Sequence, residues 1–160
     1  MKSLFSKKDD LRINRLLLHN RFTLKIPPEW KDQTVYRFEG PVEDGVLHNI
    51  IVTIENDLDM PDLETYAERC IKAEEKELQG YKELKRDSLN LQNGQPAVEV
   101  VYKWCPVEGR EIYQRVIYLY INETGYILTA SFSKKTWKTF GSEVNKILMS
   151  FQIPKFESGA

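Results

Sequence analysis

The stretch Arg110–Asn122 reads REIYQRVIYLYIN. It is rich in β-branched and aromatic residues, and it therefore predicts a β-strand. Successive side chains of a strand point to opposite faces, so a half-buried strand alternates apolar and polar residues. Here the alternation is weak, because one face carries Gln114 with Val116 while the other carries Ile117 with Leu119. Both faces of the predicted sheet therefore require cover, and what covers the second face is the main question that the sequence raises.

The rest of the chain predicts strands, a helix, a β-meander and a final helix. The predicted strands are Phe22–Ile26, Thr34–Glu39 ending at Gly40-Pro41, Leu47–Glu55, one within Tyr81–Leu91, Ala97–Cys105, Arg110–Asn122 and Tyr126–Phe132. Asn93-Gly94 predicts a type I′ hairpin turn. One helix is predicted from a cap at Asp59 or Asp62 to about Gly80, and another from Lys135 to Ser150. This order favours an α+β fold, with helices packed on a twisted, mainly antiparallel sheet.

Length and composition suit one folded domain. The chain has 160 residues and a net charge of −1. We expect residues 1–20 to form a partly disordered extension, residues 21–154 a single domain, and residues 155–160 a tail. The balanced charge argues against a nucleic-acid partner. No apolar run approaches the roughly 20 residues that span a bilayer. No signal peptide is recognisable, so we expect a cytoplasmic protein without direct membrane insertion.

No residue pattern predicts catalysis or metal binding. The acidic stretch Glu55–Glu64 lacks the glycine of a calcium loop and contains Pro61, so its carboxylates are better explained as helix caps. His19 and His48 have no Cys or Asp at metal-ligand spacing. A nucleophile elbow and a phosphate-binding glycine loop are also missing. We therefore expect a non-enzymatic protein with no metal and no cofactor.

The apolar residues divide unequally between the two faces of the predicted sheet. The purer face, expected to be the main core, comprises Phe22, Leu24, Ile26, Tyr36, Phe38, Ile50, Val52, Ile54, Val98, Val100, Tyr102, Trp104, Ile117, Leu119, Ile121, Leu128, Ala130 and Phe132. The second face mixes aliphatic and polar residues: Val35, Arg37, Asn49, Ile51, Thr53, Val101, Lys103, Gln114, Val116, Ile127, Thr129 and Ser131. Its cover is the final helix, a second subunit or a client protein, and the sequence leaves all three open.

Several motifs, taken in order, resemble the DcrB-related family, whose fold is similar to Mog1 and PsbP. The segment FTLKIPPEWKDQTVYRF resembles the family's opening strand, proline–tryptophan turn and second strand. The matching positions are Phe22, Leu24, Pro27, Trp30, Asp32, Thr34 and Val35, followed later by Tyr102, Trp104, Gly109 and Gln114. The resemblance covers about residues 22–154 and implies a Mog1/PsbP-like α/β/α sandwich.

The cytoplasmic branch of that family resembles the effector-associated (Eag) chaperones of bacterial type VI secretion. The resemblance implies a homodimer that cradles apolar, transmembrane-like helices of a secreted effector on the concave sheet face. By resemblance, Val35, Arg37, Ile51 and Gln114 would lie on that client face. Thr53 and Val116 join them as members of the mixed second face.

Two other classes of function remain open from the sequence. One is an enzyme or a small-molecule-binding domain with a pocket near Trp30 and Trp104, because tryptophans often line ligand pockets. The other is a structural accessory domain of a larger assembly. The chaperone interpretation requires an accessible mixed face, whereas the first alternative requires a closed polar pocket.

Overall fold

The computed structural model describes residues 23–154, which divide between Gln33 and Thr34 into two compact units. In Thr23–Gln33, the Trp30 amide donates to the Pro27 carbonyl at 3.1 Å, which forms the predicted proline–tryptophan turn. The predicted strand Phe22–Ile26 is wrong for its described residues, where Leu24 is 55% exposed. The predicted extension 1–20 and tail 155–160 lie outside the described residues, so those boundaries stay predictions.

The unit that begins at Thr34 contains six strands and two helices among its described residues. In chain order they are β1 (Val35–Glu43), β2 (Val46–Glu55), α1 (Leu63–Glu77), β3 (Lys82–Asn90), β4 (Pro96–Val107), β5 (Arg110–Ile121), β6 (Thr124–Phe132) and α2 (Lys134–Met149). The strands form one sheet in the order β1-β2-β6-β5-β4-β3, and every neighbouring pair is antiparallel. The predicted α+β fold with an antiparallel sheet is confirmed.

The turns explain where the strands end, and they correct two predictions. Strand β1 continues through Gly40-Pro41 by a register irregularity between Glu39 and Val42, so the predicted stop is wrong. A bulge accommodates the proline because it interrupts the ladder of backbone hydrogen bonds. At Asn93-Gly94 only the glycine has positive φ, 86°, so the turn is not the predicted type I′.

Polar side chains cap both helices. Asp62 precedes α1 and accepts from the Thr65 amide at 2.8 Å, and this hydrogen bond lowers the pKa of the Asp62 carboxyl. Ser133 and Thr136 form a reciprocal capping box at the start of α2. His48 is buried beside it, with Nδ1 2.9 Å from the Pro41 carbonyl and Nε2 2.7 Å from the Thr136 hydroxyl. Nδ1 donates to the Pro41 carbonyl, and this histidine therefore joins β1, β2 and α2.

Each helix covers a different face of the sheet. Helix α2 packs on one face over a core of Leu91, Ala97, Ile117, Leu119, Leu128, Ala130, Phe132 and Leu148. Helix α1 packs on the opposite face over β4 and β5, where Tyr66, Ala67, Cys70 and Ile71 meet Val98, Val100, Tyr102, Val116 and Tyr118. The predicted core residues Ile117, Leu119, Leu128, Ala130 and Phe132 are thus confirmed.

One strand was assigned to the wrong face. Register pairs Val98 with Tyr118 and Val100 with Val116, so the predicted grouping of Val98, Val100, Tyr102 and Trp104 with Ile117 is wrong. Val101 and Lys103 correspondingly lie on the α2 side rather than on the mixed face. The error arose because Ala97–Tyr102 is buried on both sides, and a continuous apolar run does not reveal which residues share a face.

Candidate binding face

Five of the six predicted client-face residues lie in two adjacent rows across the sheet. In the first row, Arg37 pairs with Ile51, Ile51 with Thr129, Thr129 with Val116, and Val116 with Val100. In the second row, Val35 pairs with Thr53 and Thr53 pairs with Ile127. Directly paired residues on neighbouring strands point to the same face. The sheet therefore brings Val35, Arg37, Ile51 and Thr53 together on the face that carries α1.

Helix α1 divides this face into a covered part and an open part. Val116 and Val100 at one end of the first row are fully buried beneath α1. Ile51 and Thr129 in the same row are only half-buried, and Val35 on β1 is 53% exposed. We define the open face as Val35, Arg37, Asn49, Ile51, Thr53, Gln114 and Thr129. Val116 does not belong to it, because its side chain is part of the core.

The open face is nearly neutral. Arg37 is its charged member, and its Nε lies 3.1 Å from a carboxylate oxygen of Glu39 on the same strand. Gln114 is part-buried and already bonded: the Tyr102 hydroxyl donates to its Oε1 at 2.8 Å, and its Nε2 donates to Ser131 Oγ at 3.0 Å. The amide orientation is therefore fixed by its neighbours rather than free to adapt.

The part of the opposite face that lies on β3 and β4 is strongly charged. Glu99 on β4 is 1% exposed, and it accepts from Arg115 Nε at 2.7 Å and from Lys85 Nζ at 3.1 Å. Lys103 and Glu111 form another ion pair there at 2.6 Å. Arg115 and Lys85 compensate the buried Glu99 carboxylate, and the exposed Lys85 side chain keeps this part of the face polar. The open face uses aliphatic and amide groups instead, which is typical of a surface that contacts a partner.

A half-buried acid of α1 contacts the sheet on the covered part of the face. The Tyr118 hydroxyl donates to a carboxylate oxygen of Glu74 at 2.9 Å. Burial raises the pKa of Glu74, because desolvation of the charged carboxylate outweighs that hydrogen bond. The same burial and the nearby Glu74 charge raise the pKa of Tyr118 well above its ordinary value. The pair anchors α1 on the sheet and is closed off from the open face.

A cleft of about 380 Å³ extends the open face toward the β1–β2 and β4–β5 turns. Asn49 and Gln114 belong to both, and Trp104, Ile112 and Ser131 also line the cleft. The sequence assigned Trp104 to the core and did not select Asn49 as a site residue. Asn49 lies on the mixed second face to which the sequence assigned it, whereas Trp104 was assigned to the other face together with the rest of β4.

The matched region of the chain identifies its family. The sequence profile of the family described as DcrB matches residues 22–150. The chain belongs to the DcrB family. This match includes every strand of the sheet and both helices, so the open face and the cleft are built within the DcrB region. A comparison with curated proteins gave no match.

Two solved structures are similar to this chain. PA94 from Pseudomonas aeruginosa, a protein of unknown function, is similar with a TM-score of 0.71 and 23% identity, over 88% of this chain and 95% of PA94. The two proteins share a fold. The solution structure of the PsbP protein CyanoP from Synechocystis sp. PCC 6803 has a TM-score of 0.47 and 11% identity, over 79% of this chain and 96% of CyanoP.

The described residues 23–154 also bear on metal sites and on membrane-spanning helices. Within that range, the structure brings together no group of three or more His, Cys, Asp and Glu side chains suited to a metal ion. The helices of the described chain are also too short or too polar to cross a lipid bilayer.

Proposed function

We propose that this protein is a non-enzymatic chaperone or adaptor that shields an apolar, transmembrane-like helix of a client protein. The observation that carries the proposal is the open face, where one row of paired residues runs from the buried core under α1 to half-exposed Ile51 and exposed Arg37. An apolar helix lying on β1, β2 and β6 would continue the cover that α1 provides on β4 and β5.

The resemblance to Eag chaperones supports the nature of the client. In that reading the client is a secreted effector of type VI secretion, and the protein acts as a homodimer in the cytoplasm. Shielding would work by substitution: aliphatic side chains of Val35 and Ile51 replace lipid, while Arg37 and Gln114 offer hydrogen bonds to polar groups of the client. Thr53 adds a hydroxyl to the same surface.

A defined helical probe tests the proposal. The probe is a lysine-flanked peptide with about 20 Leu and Ala residues, labelled for fluorescence anisotropy in detergent-free buffer. We expect saturable binding that Ile51→Asp abolishes, because the new carboxylate would be desolvated under the helix. Leu84→Asp is the matched control, since Leu84 is 45% exposed on β3, away from the open face. Equal loss in both variants, or no binding by the native protein, contradicts the proposal.

Co-expression provides the cellular version of the test. The effector encoded beside this protein should accumulate in soluble form only with the native chain or the Leu84→Asp variant, and should aggregate or be degraded with Ile51→Asp. An effector that stays soluble and stable without this protein would contradict the proposed chaperone function. Sedimentation velocity of the purified protein tests the proposed homodimer.

A small-molecule-binding or structural accessory role is the second candidate, and the cleft beside Trp104 is the observation that favours it. A protein of that kind would be stabilised against heat by a small molecule, and Trp104→Ala would abolish the stabilisation. It would show no saturable binding of the helical peptide.

A further inference from the structure

The cleft lies where two hairpins meet at one end of the sheet. The β1–β2 turn and the β4–β5 turn are brought together because the Arg110 guanidinium donates to the Gly45 carbonyl oxygen. Leu47, Pro106, Val107 and Ile112 provide apolar walls, and Asn49, Gln114 and Ser131 provide polar groups. Because Asn49 and Gln114 also belong to the open face, a helix lying on that face would reach the cleft with a side chain.

Several hydrogen-bonding groups of the cleft already have partners within the protein. The donors and acceptors that remain for a ligand can therefore be identified. The Ser131 oxygen accepts from Gln114 Nε2 at 3.0 Å, which leaves the Ser131 hydroxyl proton as a spare donor. Asn49 Nδ2 donates to the Leu47 carbonyl at 3.1 Å, and this assigns Oδ1 as the free acceptor of that amide. The Arg110 guanidinium, the charged group of the cleft, is directed to Gly45.

Two polar atoms of the cleft residues are buried without a hydrogen-bond partner. They are the acceptor Asn49 Oδ1 and the donor Trp104 Nε1. Native proteins rarely leave such atoms unpaired, and each occurrence calls for an explanation such as a ligand. Both atoms belong to residues that line the cleft, and a group that presents one acceptor and one donor would pair with them.

We infer that the cleft binds a side-chain amide, that of a Gln or Asn residue in the helical client. This inference rests on the proposed function and adds a selectivity site to it. The client carbonyl accepts from Trp104 Nε1–H and from the Ser131 hydroxyl, and the client NH₂ donates to Asn49 Oδ1 after a small rotation of the Asn49 and Trp104 side chains. The apolar walls cover the methylene stem of the client residue.

The chemistry of the lining favours an amide over other side chains. A cationic side chain would be desolvated beside Arg110, whose bond to the neutral Gly45 carbonyl leaves its positive charge uncompensated. A carboxylate has acceptors only and would leave Asn49 Oδ1 unpaired, and a hydroxyl donates and accepts through a single oxygen, whereas the planar amide carries its acceptor and its donors on separate atoms. An aliphatic side chain would fill the space but leave both buried atoms unpaired.

The test compares two helical peptides on the native protein. Both are lysine-flanked Leu/Ala helices of about 20 residues, one with a central Gln and the other with Leu at the same position. We expect the Gln peptide to bind about tenfold more tightly, which corresponds to about one net hydrogen bond. Equal or weaker binding of the Gln peptide overturns the inference while leaving the proposed function intact. Failure of both peptides to bind overturns the proposed function and this inference with it.

Two variants test whether the preference for the Gln peptide over the Leu peptide arises in the cleft. Trp104→Phe removes the indole N–H and keeps an aromatic ring, and Asn49→Leu removes the amide and keeps a branched side chain. In each variant we expect the ratio of the two dissociation constants to fall to near one, whatever the change in affinity for the Leu peptide. Urea unfolding checks that each variant is folded. A ratio that is unchanged in both variants overturns the inference, because the preference would then arise elsewhere on the open face.

Discussion

Two single substitutions to threonine, made in separate variants, test whether α1 divides the sheet face into a covered part and an open part. Val116 and Ile51 both pair with Thr129 and point to the same side, but Val116 is fully buried and Ile51 is half-buried. In Val116→Thr, a hydroxyl nearly isosteric with a methyl group is buried under α1. An unsatisfied buried hydroxyl costs about 1–3 kcal/mol, and the lost methyl contributes about 0.8 kcal/mol more.

We therefore expect Val116→Thr to lower the free energy of unfolding by about 2–4 kcal/mol. Ile51→Thr should lower it by less than about 1 kcal/mol, because its hydroxyl reaches solvent. Urea unfolding followed by circular dichroism at 25 °C measures both, with the midpoints compared at a common denaturant slope. The opposite order is expected for peptide binding, where Ile51→Thr weakens affinity and Val116→Thr does not. Equal destabilisation by the two substitutions would refute the proposed division of the face.

Two further predictions concern α1. A Cβ at Gly125 would lie 2.2 Å from the ring carbon and the hydroxyl oxygen of fully buried Tyr66, so Gly125→Ala should destabilise the fold by about 1–3 kcal/mol. Gly141→Ala on α2, where nothing lies within 4 Å, should instead stabilise it by about 0.5–1 kcal/mol. Thermal unfolding that shows the same sign for both would contradict this packing. Burial raises the pKa of Glu74, so the native state holds its proton more tightly than the unfolded chain. The free energy of unfolding should therefore fall as pH rises from the ordinary value of 4.5 through the raised pKa, and Glu74→Gln should remove this dependence in urea titrations from pH 4 to 9.

Local patterns in the sequence were enough to predict most elements of the fold. Each useful pattern lies within a single element and indicates its type and its buried side. Examples are the β-branched run of β2, the acidic cap and apolar spacing of α1, and the apolar stripe of α2. The strand predicted at Phe22–Ile26 shows the limit of such patterns. Apolar and polar residues alternate there, yet the described residues form no strand, because a strand also needs a neighbour to share its hydrogen bonds.

The two faces were harder to predict because faces are set by pairing between strands. Val116 and Ile51 look alike in the sequence, and the position of α1 determines that one is core and the other is accessible. Gln114 was selected correctly as a residue of that face, since a polar side chain within an apolar strand stands out. Asn49 and Trp104 were missed as partners in one cleft, because they are distant in the chain and meet only through the order β2-β6-β5-β4.

The open face includes an edge strand of the sheet. Strand β1 lies at the end of the strand order, and most of its residues are exposed. Local opening costs least where a segment has few buried contacts, so β1 should exchange its amide hydrogens faster than β5. A client helix lying over β1 and β2 would add the missing contacts. Client binding would then slow amide hydrogen exchange along β1. Exchange at this strand can therefore detect a bound client without a label on either molecule.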